Sequence, residues 1–194
     1  MNKTTLFSAT VAIFAAIICV SGFLRIPIPG LQSAIVLQNL MCVLTAVLLG
    51  GILGVAPTAL FVVAGVLGLP IFAGGQGGFH VLTNINGGFR IGWVFGAFIA
   101  GLIAGKPTVE EKKIQIRTVV RISAAIILGM LLLYVPEIFY VIAFKKAELG
   151  VGGAFKLFLT AFFAPFLLVD LAKSIVGILL ALKIRPIVAQ YLYN

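Results

Sequence analysis

Long apolar runs separated by short polar segments dominate the chain. Most runs are about 15–28 residues long and lack the strict alternation of a half-buried strand, so they favour helices. In a lipid bilayer every backbone polar group must be satisfied within the protein, which a helix achieves by itself. The pattern predicts an all-α membrane protein of one domain, with six transmembrane helices at residues 5–23, 34–53, 58–69, 90–104, 119–144 and 155–182.

Basic residues lie mainly in the segments between the runs. Six spans place both termini on one side, and that side holds eight Lys and Arg residues against five on the other. The positive-inside rule therefore predicts cytoplasmic termini and an external loop between the third and fourth spans. The eight are Lys3, Lys106, Lys112, Lys113, Arg117, Arg121, Lys183 and Arg185, and the five are Arg25, Arg90, Lys145, Lys146 and Lys156.

Composition excludes a water-soluble fold. The chain is 62% hydrophobic and 10% charged, whereas soluble domains carry about 25% charged residues. The net charge of +9 is assigned to lipid head groups rather than to nucleic acid, because the basic residues cluster at span ends. Cys19 and Cys42 lie in apolar runs and are predicted to be packing residues. The first run is too long for a signal peptide, so we expect it to remain as a span.

Small residues recur every fourth position in two of the spans. Ser8, Ala12 and Ala16 share one face of the first span, where another backbone can approach closely. That face is either packed within the chain or docked on another membrane subunit. The second stripe, which predicts close helix packing, consists of Gly88, Gly92 and Gly96.

Two ionisable residues lie inside the last run. Asp170 and Lys173 are three positions apart, which places both side chains on one helix face. An ion pair would lower the cost of charge inside the membrane, and this is the purely structural interpretation. The favoured interpretation is a ligand site, because intramembrane charges are usually functional. The carboxylate accepts hydrogen bonds and the ammonium donates them, so the pair suits a ligand with both kinds of group.

A glycine-dense polar loop, Pro70 to Phe89, separates the third and fourth spans. Glycine lets backbone approach a ligand closely, so ligand contact is the favoured explanation. A single histidine without cysteine or carboxylate partners predicts no metal site. Near the start of the second span, ligand contact is favoured for Gln38 and helix packing for Asn39. The candidate ligand-binding residues of the loop are Gly75, Gly77, Gly78, His80, Asn84 and Asn86.

Several enzymatic and transport classes lack their motifs. In the segment 101–108 only three residues separate the glycines and Pro107 follows Lys106, so a P-loop is excluded. No serine lies in a nucleophile-elbow pattern. We find no internal repeat of the kind that secondary transporters with inverted repeats show.

Three separated motifs resemble the BioY proteins, the biotin-specific S components of energy-coupling factor (ECF) transporters. They are 68–78 (GLPIFAGGQGG) with Gly87-Gly88-Phe89, the segment 27–38 with Pro27, Pro29 and Gln38, and Pro165-Phe with Asp170-x-x-Lys173. The chain departs from the family at 82–86, where Leu-Thr-Asn-Ile-Asn replaces the usual Leu-x-Gly-Pro-Thr.

The resemblance implies a six-helix substrate-binding subunit of the prokaryotic plasma membrane, with its pocket near the outer face. It implies biotin as ligand, with polar contacts from Asp170 and Lys173. The sequence leaves open which end of biotin each residue contacts, and of the two orientations we expect Asp170 on the ureido N–H groups and Lys173 on an oxygen. It also implies three partner subunits, a transmembrane coupling protein and two ABC-type ATPases, with the Ser8/Ala12/Ala16 face as docking stripe. We expect no cofactor and no enzymatic activity. The alternatives are an S component for another vitamin and a membrane-embedded enzyme using Asp170, Lys173 and His80.

Overall fold

The computed structural model describes residues 2–26, 35–113 and 115–193, and in these the fold is almost entirely helical. The proline-containing segment 27–34, expected to be an outer loop, lies outside the described residues. Seven α-helices are present in the described part of the chain: α1 Lys3–Ser21, α2 Gln38–Leu49, α3 Ala56–Val66, α4 Gly87–Ala104, α5 Ile116–Leu132, α6 Tyr134–Leu157 and α7 Ala164–Leu192. The shorter elements are the strands β1 Arg25–Ile26 and β2 Ile35–Val36, the 3₁₀ helices Ile52–Val55, Phe79–Leu82 and Val109–Lys112, and the π-helix Phe158–Phe163.

Local sequence accounts for several helix ends. The side chain of Asn2 caps α1 by accepting a hydrogen bond from the Thr4 N–H. Prolines occupy the first turns of α3 and α7, where no backbone N–H is needed. Gly50 ends α2 with φ 68°, and Gly105 ends α4 with φ 62°. These φ values favour glycine, which has no Cβ.

The helix α4 lies at the centre of the bundle and packs against α2, α5 and α6. A Cβ on Gly88 would lie 2.5 Å from the Cα of Glu137, and one on Gly96 would touch the carbonyl of Gly129. Gly92 meets the carbonyl of Leu133 in the same way. The predicted close packing along this glycine stripe is therefore confirmed.

An aromatic cluster fixes α3, α4 and the loop between them. Phe61 and Phe72 make an edge contact with ring centroids 5.2 Å apart, and both rings lie within 6 Å of the Trp93 ring. All three residues are buried. The glycine-rich loop thus has an apolar anchor in the core, although its sequence is mostly polar.

The bundle has two ends that differ in what they contain. At one end α1 finishes, α2 begins and the segment 67–86 lies against both, and we call this the loop end. At the other end α2 and α7 finish together, with the Tyr193 hydroxyl donating to the Leu49 carbonyl at 2.8 Å. We call it the terminal end, since α1 also begins there.

A fully buried arginine holds the terminal end together. Arg185 donates to both carboxylate oxygens of Glu111, at 2.9 and 3.1 Å. It also donates to the carbonyl of Val47 in α2 and to those of Ala104 and Gly105 after α4. One guanidinium therefore joins α2, α4, α7 and the 3₁₀ helix Val109–Lys112.

Helix lengths and hydropathy fit a membrane protein. Within the described residues, three helical stretches are long and apolar enough to cross a bilayer: Thr4–Ser21, Gly87–Ala104 and Ile116–Leu192. The last has 77 residues and is interrupted at Gly150, whose φ of 69° and ψ of 170° are not helical. Shorter apolar helices lie at Gln38–Leu49 and Ile52–Val66. The count of six spans stays a prediction.

The helix bounds differ from the expected ones at several places. The segment 145–154, which was expected to separate the fifth and sixth spans, belongs to α6, and α7 begins only at Ala164. The run expected to begin a helix at residue 34 is extended at Ile35–Val36, because these residues pair with Arg25–Ile26. The fourth helix begins at Gly87, within the segment expected to be loop, and a 3₁₀ helix precedes it. The fifth run divides between α5 and α6 at Leu133, and the last helix continues past residue 182 to Leu192.

Candidate functional site

A buried ion pair lies in the first turns of α7. The Lys173 Nζ is 2.5 Å from the Asp170 Oδ1, as the three-residue spacing predicts. Asp170 is 5% exposed and Lys173 8% exposed. Burial at this level is costly for two charges unless further hydrogen bonds satisfy them, so their other partners matter.

The start of α2 supplies part of these partners. The Asn39 amide bridges the pair: its Nδ2 donates to the Asp170 Oδ1 at 3.2 Å, and its Oδ1 accepts from the Lys173 Nζ at 3.0 Å. The Lys173 Nζ also donates to the Val36 carbonyl at 3.1 Å. All three donor directions of the ammonium are thereby used, and α2 and α7 are held together at the loop end.

A tyrosine at the start of α6 completes the set. The Tyr134 hydroxyl donates to the Asp170 Oδ2 at 2.5 Å, so each carboxylate oxygen has a partner. The Tyr134 ring lies edge-on to Phe89, Phe158 and Phe163, with centroid distances of 5.2–6.4 Å. The last two residues belong to the π-helix before α7, and such segments are frequent at functional sites.

Four side chains thus form one buried polar cluster beside an aromatic wall. We call Asn39, Tyr134, Asp170 and Lys173 the loop-end cluster. It contains a carboxylate, an ammonium, an amide and a hydroxyl, whose bonds are mostly to one another rather than to backbone. Side-chain partners of this kind can be exchanged for ligand groups without unfolding a helix. The cluster can receive a small molecule that has N–H donors, carbonyl or carboxylate acceptors, and an apolar body.

Comparisons with known proteins give the family. The profile of the BioY family matches residues 1–190 of the chain. The chain belongs to the BioY family. It is 32% identical over 179 residues to the protein named biotin transporter BioY of Thermotoga maritima, covering 90% of this chain and 93% of the relative. It is 33% identical over 184 residues to the protein of the same name from Rhodobacter capsulatus, covering 93% and 92%.

A solved structure shows the same fold. The crystal structure of the S-component for biotin from an ECF-type ABC transporter superposes with a TM-score of 0.72, at 24% identity, covering 95% of this chain and 94% of that one. The resemblance to BioY proteins and the expected S-component-like helical fold are therefore confirmed. The relatives are transporters, so membership of this family favours a transport role and gives no support to the enzyme alternative.

Gln38 lies at the loop end but has a structural position. Its side chain is fully buried, and its Nε2 donates to the carbonyls of Ile18 and Ile71 at 3.3 and 2.9 Å. Its Oε1 accepts from the Ala73 N–H at 3.1 Å. The amide therefore ties α1 and the glycine-rich loop to α2, and its contact with a ligand stays a prediction. The neighbouring Asn39, for which packing was favoured, is the amide that joins Asp170 and Lys173.

The candidate residues of the glycine-rich loop lie at the surface of the loop end rather than in the cluster. Gly75 and His80 are exposed, while Gly77 packs so closely on the Leu69 carbonyl that a Cβ would overlap it. Gly78 has φ 98° and donates its N–H to the Gly65 carbonyl. None of these residues contacts Asp170 or Lys173 through the hydrogen bonds of the described chain, and their ligand contacts stay predictions.

Asn84 and Asn86 lie in the segment 82–86, whose sequence differs from the usual pattern of the family, and they shape the start of α4. The Asn84 Oδ1 accepts the Asn86 N–H at 3.0 Å, which forms a local turn. The Asn86 carbonyl accepts a hydrogen bond from the Arg90 Nη1 at 2.5 Å. Both side chains are partly buried. Their predicted role against a ligand is untested, and their local role is to position the first turn of α4.

Tyr134 and the pair Arg90 and Glu137 were missed by sequence reasoning. Arg90 was counted only as a basic residue at the outer end of the fourth span, yet it is 8% exposed. Glu137 is fully buried in an otherwise apolar run, and that isolated acidic residue was a signal that could have been used. Tyr134 carried no comparable signal, because it is an uncharged aromatic residue within a long apolar run.

Proposed function

We propose that the chain binds biotin at its loop end and delivers it for uptake as the S component of an ECF transporter. The observation that carries the proposal is the loop-end cluster, found in a chain that belongs to a family of biotin transporters. Biotin has ureido N–H donors, a ureido carbonyl, a thioether ring and a carboxylate. Acceptors, donors and aromatic surface all lie together at this end of the bundle.

The ligand orientation follows from the hydrogen-bonding capacities. Asp170 holds two acceptor oxygens, each bonded now to groups of the protein that ligand N–H groups can replace. Lys173 can exchange its hydrogen bond to Asn39 for one to a ligand oxygen while its ion pair with Asp170 is kept. We therefore assign Asp170 to the ureido N–H groups and Lys173 to an oxygen of biotin. The Phe89, Phe158 and Phe163 rings around Tyr134 offer apolar surface for the ring system.

The remaining parts of the proposal concern topology and partners. The chain would cross the prokaryotic plasma membrane several times, with the loop end outside. A transmembrane coupling protein and two ABC-type ATPases would supply the energy. In the described helix α1, the residues Ser8, Ala12 and Ala16 are all exposed. This exposure supports docking of the stripe on another subunit and speaks against packing within the chain.

Calorimetric titration of the purified protein with biotin tests the proposal. We expect saturable heat with one biotin per chain and an increase in thermal stability that grows with biotin concentration. Thiamine and riboflavin, titrated in the same way, test the alternative of another vitamin. Absence of heat and of thermal protection with biotin would contradict the proposal, and a response to a different vitamin alone would replace biotin by that ligand.

A further inference from the structure

A second group of buried polar residues lies next to the loop-end cluster. Arg90 in the first turn of α4 and Glu137 in the first turn of α6 are 8% and 0% exposed. The Phe89 N–H donates to the Glu137 Oε2 at 2.9 Å, and Gly88 packs directly on the Glu137 backbone. A guanidinium and a carboxyl group are therefore both buried where the first turns of α4 and α6 pack against each other, and the Glu137 carboxyl bonds to the backbone of the residue before Arg90.

Arg90 reaches from α4 into the glycine-rich loop. Its Nη2 donates to the Gln76 Oε1 at 2.9 Å, and its Nη1 donates to the Asn86 carbonyl at 2.5 Å. The guanidinium also lies over the Phe72 ring, 5.8 Å from the centroid. Phe72 and Gln76 pair with each other through backbone hydrogen bonds, and they enclose the glycines 74 and 75. One side chain thus holds both ends of this turn.

The same contacts lead to the proposed ligand site. Phe89, whose N–H bonds to Glu137, places its ring 5.5 Å from the Tyr134 ring. Tyr134 precedes Glu137 by three residues, on the same face of α6, and donates to Asp170. The first turn of α4, which carries Arg90, and the Asp170 partner Tyr134 are therefore both positioned by one short stretch of α6.

We propose that Arg90 is a positioning residue that fixes the glycine-rich loop at the mouth of the binding site and thereby sets how long the ligand stays bound. Arg90 acts through Gln76 and Phe72 and does not touch the ligand. The interpretation of the ligand as biotin rests on the proposed function, but the fixing of the loop does not depend on any ligand.

The cost of burying this arginine supports a specific role. Within the described part of the chain, Arg90 Nε, Glu137 Oε1 and Asn86 Oδ1 have no hydrogen-bond partner. A buried charge with unsatisfied atoms is less stabilising than an apolar side chain of the same size. Arg185 at the terminal end uses its N–H groups far more completely. Arg90 therefore contributes position rather than stability.

Hydrogen exchange of the ligand-free protein tests the first half of the proposal. Arg90→Met keeps an extended apolar side chain and removes every donor. We expect the backbone amides of residues 72–78 to exchange about tenfold faster, since a hydrogen bond to a charged group is lost. Gln76→Ala removes only the exposed side chain of the loop that accepts from Arg90, and it should produce the same change. This variant keeps the test informative if Arg90→Met folds poorly. The matched control is Arg121→Met, which removes an arginine bonded to Glu111 at the terminal end.

Biotin kinetics test the second half. We expect both loop variants to raise the dissociation rate about tenfold while the association rate changes less than twofold, and Arg121→Met to change neither. Faster dissociation with unchanged loop exchange would make Arg90 a ligand contact and overturn the proposal. Unchanged exchange and unchanged dissociation would leave it a structural residue only. If the wild-type protein binds no biotin, the exchange result alone decides whether Arg90 fixes the loop, so the two proposals fail separately.

Discussion

The two ends of the bundle both bury an ion pair, but they satisfy it in different ways. At the terminal end, Arg185 binds Glu111 and three backbone carbonyls of other segments. At the loop end, Asp170 and Lys173 are satisfied mainly by the side chains of Asn39 and Tyr134. Backbone partners cannot leave without disturbing a helix end, whereas side-chain partners can rotate. Burial alone therefore does not identify a ligand site, while the type of partner separates a structural charge from an exchangeable one.

Removing the terminal arginine gives the largest expected effect. Arg185→Met leaves Glu111 without its main buried partner, and we expect the free energy of unfolding to fall by about 3–5 kcal/mol. Denaturant unfolding of the purified protein measures this. Lys183→Met, two positions earlier in the same helix and exposed, is the control. An unchanged stability in Arg185→Met would remove the distinction between the two ends.

Changing the loop-end pair should affect binding more than stability. Asp170→Asn or Lys173→Met should weaken biotin binding by about 1–3 kcal/mol, which raises Kd roughly 5- to 150-fold, because a buried partner is left unpaired. Calorimetry measures this change. The control is Lys145→Met, which breaks an ion pair with Glu148 at 2.6 Å that has the same three-residue spacing but is exposed. Wild-type affinity in both loop-end variants would show that this pair is only structural.

The tyrosine of the loop-end cluster has a smaller expected effect. Tyr134→Phe keeps the aromatic contacts and removes one hydrogen bond to Asp170, so Kd should rise about fivefold. Tyr140→Phe, whose ring stacks on Phe144, is the control in the same helix. If Kd does not change while Asp170→Asn weakens binding, the carboxylate acts without the hydroxyl.

The exposed stripe of α1, formed by Ser8, Ala12 and Ala16, lies outside both buried ion pairs. We therefore expect a substitution in the stripe to leave both ion pairs undisturbed. Ala12→Trp should leave biotin affinity and the free energy of unfolding unchanged, and should reduce ATP-driven biotin uptake by blocking close helix contact. Uptake into membrane vesicles that contain the partner subunits measures this. Ile13→Trp, next to the stripe and 60% exposed, is the control. Lost binding in Ala12→Trp would place the stripe in the ligand site.

Regular spacing along the chain was enough to determine the helical membrane fold, the Asp170–Lys173 pair and the glycine stripe of α4. These features depend on the period of a single helix, which is written in neighbouring residues. The family resemblance added the expected ligand, because its motifs span nearly the whole chain. The structure differs from the sequence-based prediction where distant segments contact each other. Ile35–Val36, for example, is extended rather than helical because it pairs with Arg25–Ile26.

Tertiary structure alone decided which polar residues meet. Asn39 lies 131 positions from Asp170 and Tyr134 lies 36 positions away, and no local pattern marks either as a partner. Gln38 and Asn39 are adjacent amides, but successive helix positions are rotated by about 100°. The Gln38 side chain therefore bonds to backbone carbonyls, and the Asn39 side chain bonds to the ion pair. The pattern of residues along the chain predicts that charge is buried in α7. The packing of α2 and α6 against that helix decided which charge can serve a ligand, because hydrogen-bond partners depend on distance in space.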